Sequence, residues 1–70
     1  MTDAHIRING QDEILSVATL AALLEEKAVD TAQRGIAVAL NGEVVPRAAW
    51  KETALHAGDN VEIVRARQGG

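Results

Sequence analysis

Cysteine is absent from this chain of 70 residues, and its absence excludes several kinds of site. A disulfide framework, a thiolate zinc site and a cysteine nucleophile all need a residue that the sequence lacks. The same absence fits a reducing compartment. No apolar run approaches the ~20 residues that a membrane helix needs, and no leader-like segment opens the sequence. We therefore expect a cytoplasmic protein that does not enter a membrane.

Aromatic side chains are almost as scarce, since Trp50 is the only one. Ten acidic and seven basic residues give a formal charge of −3, without a basic stripe. One aromatic ring cannot form a base-stacking platform, so we expect no nucleic-acid binding. A chain this short buries only about 60% of its unfolded surface, which leaves no room for a deep catalytic cleft. The composition predicts one small domain with an aliphatic core.

The first part of the chain has the pattern of a β-hairpin. Polar and apolar residues alternate in His5–Asn9, which predicts a strand. Asn9-Gly10 is a strong tight-turn dipeptide because both residues tolerate positive φ. Gln11–Leu15 then returns as a second strand, and we expect Ile14 to be its inward side chain.

A helix is predicted next, over Val17–Lys27. Ser16 precedes it as a suitable N-cap, with a hydroxyl that can accept from a free backbone N–H of the first turn. Apolar residues recur at helical spacing and form one face, at Val17, Leu20, Ala21, Leu24 and Ala28. The end of the helix lacks a glycine, so its end is only weakly defined before a polar loop at Asp30–Gly35.

The second half of the chain predicts a further hairpin and a last strand. Ile36–Leu40 is the clearest strand, with Ala37 and Ala39 on the face opposite its larger side chains. Asn41-Gly42 turns it into the short strand Glu43–Val45, which Pro46 ends. An irregular turn then brings Trp50 back over the core. Asn60–Val64 is expected to be the last strand.

This order of elements predicts an α+β fold. One helix cannot cover two sheets, so a single mixed sheet of four to five strands with the helix across one face is expected. If the last strand lies beside the first, the two run parallel in the centre of the sheet. That arrangement is the β-grasp, shared by ubiquitin. We expect a domain over residues 1–65 and a flexible C-terminal tail over residues 66–70.

The tail, Arg65-Ala66-Arg67-Gln68-Gly69-Gly70, has no large apolar side chain and stops on two glycines. A terminal Gly-Gly offers a carboxylate with no Cβ nearby, and its backbone adopts φ values that other residues avoid. Such a segment suits threading through a narrow channel into the active site of another protein. Any reactive chemistry of this chain is therefore expected on the Gly70 carboxylate. The alternative is an inert terminus, because termini often have no role.

Four stretches of the chain form a distinctive pattern when taken together: Ile6-Arg7-Ile8-Asn9-Gly10, Val38-Ala39-Leu40-Asn41-Gly42-Glu43-Val44-Val45-Pro46-Arg47, Gly58-Asp59-Asn60-Val61-Glu62-Ile63-Val64 and Gln68-Gly69-Gly70. These stretches resemble the ThiS family, the ubiquitin-like sulfur carriers of thiamine thiazole synthesis. They occur in the family's order and cover nearly the whole chain from Ile6. One departure lies at Lys27-Ala28-Val29, where ThiS-like chains often end the helix with a glycine.

The resemblance implies a carrier that is not an enzyme. An activating enzyme of the ThiF type would use ATP to adenylate the Gly70 carboxylate, and a sulfur donor such as a cysteine desulfurase would lead to a thiocarboxylate there. A ThiG-like thiazole synthase would then accept the sulfur. The carrier itself would bind no cofactor and would be a monomer when alone.

The tail and one sheet face are the candidate site. Gly69 would thread the channel and Gly70 would carry the chemistry. Arg65 and Arg67 are expected either to steer the tail towards an acidic channel or to be solvated charges, and Gln68 to give the channel a polar handle. Ala37 and Ala39 offer a shallow apolar face for docking onto a partner, beside Val45 or Val64. The alternative is that small residues simply fill this strand.

Other polar residues carry little chemistry. His5 and His56 have no plausible third ligand in the sequence, so we expect no metal site. Asp59 follows Gly58 as a turn former.

Other functions stay open at this stage. A MoaD-like carrier for molybdopterin or another pathway would share the Gly-Asp and Gly-Gly features. A ubiquitin-like modifier would instead join Gly70 to a lysine amine. A free-standing binding domain would have inert terminal glycines.

Overall fold

The computed structural model describes residues 3–29 and 35–65. The elements, in chain order, are β1 (Ala4–Ile8), β2 (Gln11–Leu15), α1 (Leu20–Glu26), β3 (Ile36–Leu40), β4 (Glu43–Val45), a 3-10 turn (Arg47–Ala49) and β5 (Asn60–Arg65). The predicted loop after α1 lies mostly outside the described residues, as does the tail over residues 66–70.

The five strands form one mixed sheet in the order β2-β1-β5-β3-β4. β5 lies in the centre, parallel to β1 and antiparallel to β3. The helix packs on one face, where it contributes to a core of Ile6, Ile8, Leu20, Leu23, Leu24, Val29, Val38, Trp50 and Val61. The predicted β-grasp arrangement, with its central parallel pair, is confirmed.

Both Asn-Gly turns form as predicted. Asn9 and Gly10 have φ values of 50° and 84°, and Asn41 and Gly42 have 52° and 87°. Two consecutive residues with positive φ match the right-handed twist of the strands that they join. Each hairpin therefore has a two-residue loop, which fixes the register of its strands.

The prediction that Ile14 points inward is wrong. Its side chain is 63% exposed. The register pairs Ile6 with Glu13 and Ala4 with Leu15, so the alternate residues Glu13 and Leu15 share the core face with Ile6. The carboxylate at this position is paired: Lys27 Nζ donates to both oxygens of Glu13 at 2.6 and 2.7 Å.

The helix begins three residues later than predicted, with Thr19 and not Ser16 as its N-cap. Thr19 Oγ1 accepts from the Ala22 N–H at 3.2 Å. The N–H groups of Leu20 and Ala21 donate to the carbonyl oxygens of Thr53 and Trp50, at 2.9 and 3.1 Å. Thr19 itself is extended, with a φ of −131° and a ψ of 164°, and forms a bridge with Ala54, while Ala18 O accepts from the Leu55 N–H at 3.0 Å.

The helix ends at Glu26 with a Schellman motif, although no glycine is present. Val29 N–H donates to Leu24 O at 2.9 Å, and Ala28 N–H donates to Glu25 O at 3.0 Å. Ala28 takes the left-handed position between these bonds, with a φ of 60°. Val29 is buried beside the helix, which supplies the apolar contact that usually accompanies this motif. The end of the helix is thus well defined.

Trp50 closes one end of the core, as the sequence predicts. It is 3% exposed, and its Nε1 donates to Val45 O at 2.9 Å. The Arg47 guanidinium lies 5.0 Å from the centre of the indole ring. The indole N–H is therefore satisfied while the ring is buried, as a buried tryptophan requires.

No helix within residues 3–29 and 35–65 has both the length and the apolar character needed to span a bilayer.

Candidate functional site

The strand that leads to the tail is held on both sides by the two Asn-Gly turns. Asn9 Oδ1 accepts from the Ile63 N–H at 2.7 Å, and Asn9 N–H donates to Val61 O at 2.9 Å. On the other side, Asn41 Oδ1 accepts from the Asn60 N–H at 2.9 Å, and Asn41 N–H donates to Asn60 O at 2.7 Å. β5 is thus hydrogen-bonded to a hairpin turn on each of its two sides.

Asp59 fixes the entry into the same strand. Its Oδ2 accepts from the His56 N–H at 2.7 Å, and its Oδ1 accepts from Asn41 Nδ2 at 3.0 Å. Its backbone carbonyl accepts from Arg7 N–H at 2.9 Å. The predicted role of Asp59 as a turn former is confirmed, and its carboxylate also ties the turn to the second hairpin.

Ala37 and Ala39 lie on the sheet face away from the core, as predicted. β3 pairs Ala37 with Val64 and Ala39 with Glu62, and β4 places Val44 opposite Ala39. The predicted neighbour Val64 is correct, but Val45 is wrong. Val45 pairs with the buried Val38 and packs against the core, so Val44 is the neighbour instead.

Four of these residues form an apolar patch beside the C-terminal end of β5. The patch is defined as Ala37, Ala39, Val44 and Val64. Val44 is 74% exposed and Val64 is 60% exposed. Exposed valines on a sheet face are suited to docking against a complementary apolar surface. The sequence pattern did not single out Val44, although the two-residue turn at Asn41-Gly42 already places it opposite Ala39.

Arg65 does not join this patch. It is the last residue of β5 and pairs with Ile36, whose side chain packs against the core. With Lys27 and Val29 it lines a groove of about 390 Å³ at the C-terminal end of the helix, together with Ile8, Asn9 and Ile63. The structure therefore separates Arg65 from Ala37 and Ala39, which lie on the other face of the sheet.

The remaining predicted site residues, Arg67, Gln68, Gly69 and Gly70, lie outside the described residues. Their roles stay predictions.

The two histidines have few polar neighbours in the part of the chain that the structure describes. His56 Nδ1 is 3.9 Å from Asp59 Oδ2. His5 lines an open cleft with Arg7, Asp12, Gly58 and Asn60. Among the residues that the structure describes, no group of three or more histidine, aspartate or glutamate side chains is placed to hold a metal ion.

The comparisons with known proteins agree with this geometry. The model of the ThiS family matches residues 5–70. A crystal structure of a thiamine biosynthesis protein (ThiS) from Geobacter metallireducens is similar, with a TM-score of 0.77 and 32% identity, covering 94% of this chain and 99% of that chain. A solution structure of a thiamine biosynthesis protein from the same organism gives a TM-score of 0.75 at 32% identity, covering 94% and 87% of the two chains.

A curated relative from Paramagnetospirillum magneticum, named thiazole synthase, is 41% identical over 64 residues, or 90% of this chain. This chain spans only about a fifth of that protein, 19% of its length. The family match covers nearly the whole chain, and both solved structures have the same fold as this chain. The chain therefore belongs to the ThiS family.

Proposed function

We propose that this protein carries sulfur as a thiocarboxylate on Gly70 and donates it to thiazole formation. The observation that carries the proposal is the family match, which extends through the Gln68-Gly69-Gly70 ending. The protein would be a stoichiometric co-substrate and would bind no cofactor of its own.

The chemistry follows from the low reactivity of a carboxylate. In the active site of a ThiF-like enzyme, an oxygen of the Gly70 carboxylate attacks the α-phosphorus of ATP and pyrophosphate leaves. The terminal sulfur of a donor persulfide, such as one on a cysteine desulfurase, then attacks the carbonyl carbon and AMP leaves. A thiol reductant cleaves the S–S bond of the resulting acyl disulfide, so that the thiocarboxylate remains on Gly70.

The place of residues 66–70 in the sequence supports this role. They follow directly on β5, and five residues would reach at most about 18 Å if fully extended. A reactive group on Gly70 would thus enter a buried active site while the domain stays at its mouth. Gly69 has no side chain to obstruct a narrow channel, while Gln68 would supply a polar contact there. Arg65 and Arg67 would assist the approach electrostatically.

The apolar patch is the proposed docking surface. Ala37, Ala39, Val44 and Val64 lie on the face opposite the helix, and Val64 is directly followed by Arg65, the last residue of β5. A partner seated on this patch would therefore hold the start of the tail at its own surface. The activating enzyme and a ThiG-like synthase are the proposed partners. The match between this chain and part of a protein named thiazole synthase supports the second.

Mass spectrometry tests the proposal. The protein is incubated with a ThiF-type activating enzyme, ATP and a sulfur source, and its intact mass is measured. Exchange of one oxygen for sulfur is nearly isobaric with oxidation of Met1, so fragmentation must locate the change on Gly70. The matched control is the variant that lacks Gly70.

Sulfur on Gly70 that is lost in the shortened variant would support the carrier function. Conjugation of Gly70 to a lysine amine would instead indicate a protein modifier. An unmodified terminus, or an intact mass showing that Gly70 is not the last residue of the mature chain, would contradict the proposal.

A further inference from the structure

One carboxylate borders the apolar patch. Glu62 lies on β5 directly opposite Ala39 of β3 and two residues before Val64. Residues opposite one another on neighbouring strands have Cβ atoms about 4.5–5.5 Å apart. Glu62 is exposed, and its alternation with the buried Val61 places it on the outer face with the patch.

This carboxylate has no cation of its own within the described ranges. The ion pairs found there join Arg7 with Asp12, Lys27 with Glu13, and His56 with Asp59. Arg7, which shares the outer face, donates from Nε to Asp12 Oδ1 at 3.2 Å. Arg65 follows the inward alternation of β5 and lines the groove near Lys27. Glu62 is exposed to water and belongs to none of these ion pairs.

Docking would remove that water. A carboxylate that loses its hydration and gains no partner opposes association, because a buried unpaired charge is costly. A partner that covers Val44 and Val64 must also approach Glu62, because Val44 and Glu62 lie on either side of Ala39 in the sheet. The partner therefore needs a compensating donor at this point.

We propose that Glu62 is a specificity-determining residue that selects partners with an arginine facing it at the edge of an otherwise apolar docking surface. This inference rests on the proposed function, because it assumes that the patch docks onto the activating enzyme. An arginine fits best, since its planar guanidinium donates two parallel hydrogen bonds to a carboxylate and is less strongly hydrated than a lysine ammonium. Surfaces that are apolar throughout, or that present a carboxylate here, are rejected.

The test measures equilibrium binding to the ThiF-type activating enzyme of the same organism, at several salt concentrations, alongside adenylation of Gly70. Glu62→Gln keeps the size of the side chain and removes its charge, and Glu62→Lys reverses the charge. Glu52→Gln and Glu52→Lys are matched controls, because Glu52 is also exposed but lies after the 3-10 turn and outside the patch. Denaturation midpoints verify that each variant folds.

Loss of the ion pair between Glu62 and the facing arginine is expected to weaken binding about tenfold or more for Glu62→Gln, and further for Glu62→Lys. The wild-type affinity should fall with added salt, and this dependence should diminish in Glu62→Gln. Exchange of the facing arginine of the enzyme for glutamate should restore binding of Glu62→Lys. The Glu52 variants should bind like the wild type.

Equal affinity and equal salt dependence of the wild type and Glu62→Gln would overturn the inference and leave Glu62 as a charge that only keeps the patch soluble. Absence of binding by the wild type would overturn it as well, since no docking would occur. Binding without adenylation would contradict the proposed function alone and leave the Glu62 result valid.

Discussion

Asn9 Oδ1 accepts a hydrogen bond from the Ile63 N–H at 2.7 Å, across 54 positions of the sequence. The β1–β5 pairing covers only Arg7 with Asn60 and Ile8 with Val61. After Ile8 the chain turns away from β5. The side-chain oxygen of Asn9 then accepts the hydrogen bond that a backbone carbonyl would accept if the β1–β5 pairing continued. A turn residue thus extends the pairing of the strand that leads to the tail.

Replacement of Asn9 should show the value of this bond. Asn9→Gly keeps the positive φ but removes the acceptor, so the free energy of unfolding should fall by about 1 kcal/mol. Asn9→Asp is the matched control, because it retains an oxygen at the same place and tolerates the same backbone. Urea denaturation measures both. Equal losses for the two variants would show that the acceptor is unimportant.

The helix N-cap provides a second prediction. Thr19→Ala removes the hydroxyl that accepts from the Ala22 N–H and should cost about 1 kcal/mol of stability. Ser16→Ala changes an exposed residue outside the helix and should alter stability by less than about 0.5 kcal/mol. Thermal denaturation of both variants provides the comparison. A larger loss for Ser16→Ala would place the start of the helix earlier in the chain.

Ala28→Gly should stabilise the protein, contrary to the usual effect of glycine near a helix. Ala28 has a φ of 60°, where a Cβ is strained and glycine is not, so a gain of about 0.5–1 kcal/mol is expected. The control is Ala22→Gly within α1, which should lose about 1 kcal/mol. Chemical denaturation gives both values. Destabilisation by Ala28→Gly would contradict the left-handed helix end.

The pair between Glu13 and Lys27 should be coupled more strongly than the pair between Arg7 and Asp12. The first pair is bonded through both carboxylate oxygens and its side chains are 27% and 32% exposed, whereas those of the second are 57% and 62% exposed. Solvent screens the second pair more effectively.

Double-mutant cycles test this ordering. The cycle of Glu13→Gln and Lys27→Met should give a coupling free energy of about 1 kcal/mol. The cycle of Asp12→Asn and Arg7→Met should give about 0.3 kcal/mol. Folding stability is the measured quantity. Equal couplings would show that the partial burial of the first pair is energetically unimportant.

Docking through the apolar patch predicts a loss of partner binding in Ala39→Asp and Val44→Asp. Each places a carboxylate in the surface that would be covered, so the affinity for the activating enzyme should fall about tenfold or more. Val44 is largely exposed, so its replacement should leave folding intact. Ile14→Asp is the control, because Ile14 is also exposed but lies on the edge strand at the other end of the sheet. Unchanged binding by folded Ala39→Asp and Val44→Asp would exclude this docking surface.

Several features of the fold were determined by the sequence alone. The Asn-Gly dipeptides specify their turns because only residues that tolerate positive φ form them readily, and this local preference needs no tertiary contact. The same turns also fix register: a two-residue loop that places Ile8 opposite Gln11 must place Ile6 opposite Glu13. The inward position of Glu13 thus follows from the register of the hairpin, whereas hydrophobicity alone favours Ile14.

Tertiary structure decided what local patterns left open. Glu13 can point inward because Lys27, distant in sequence, neutralises it, and Thr19 is fixed at the start of the helix by its bridge with Ala54. The sequence by itself indicated the β-grasp order of elements and the Gly-Gly ending. Only the pairing of β3 with β5 brought Glu62 and Val64 beside the hairpin residues Ala39 and Val44 and placed Arg65 on the other face, because these two strands are far apart along the chain.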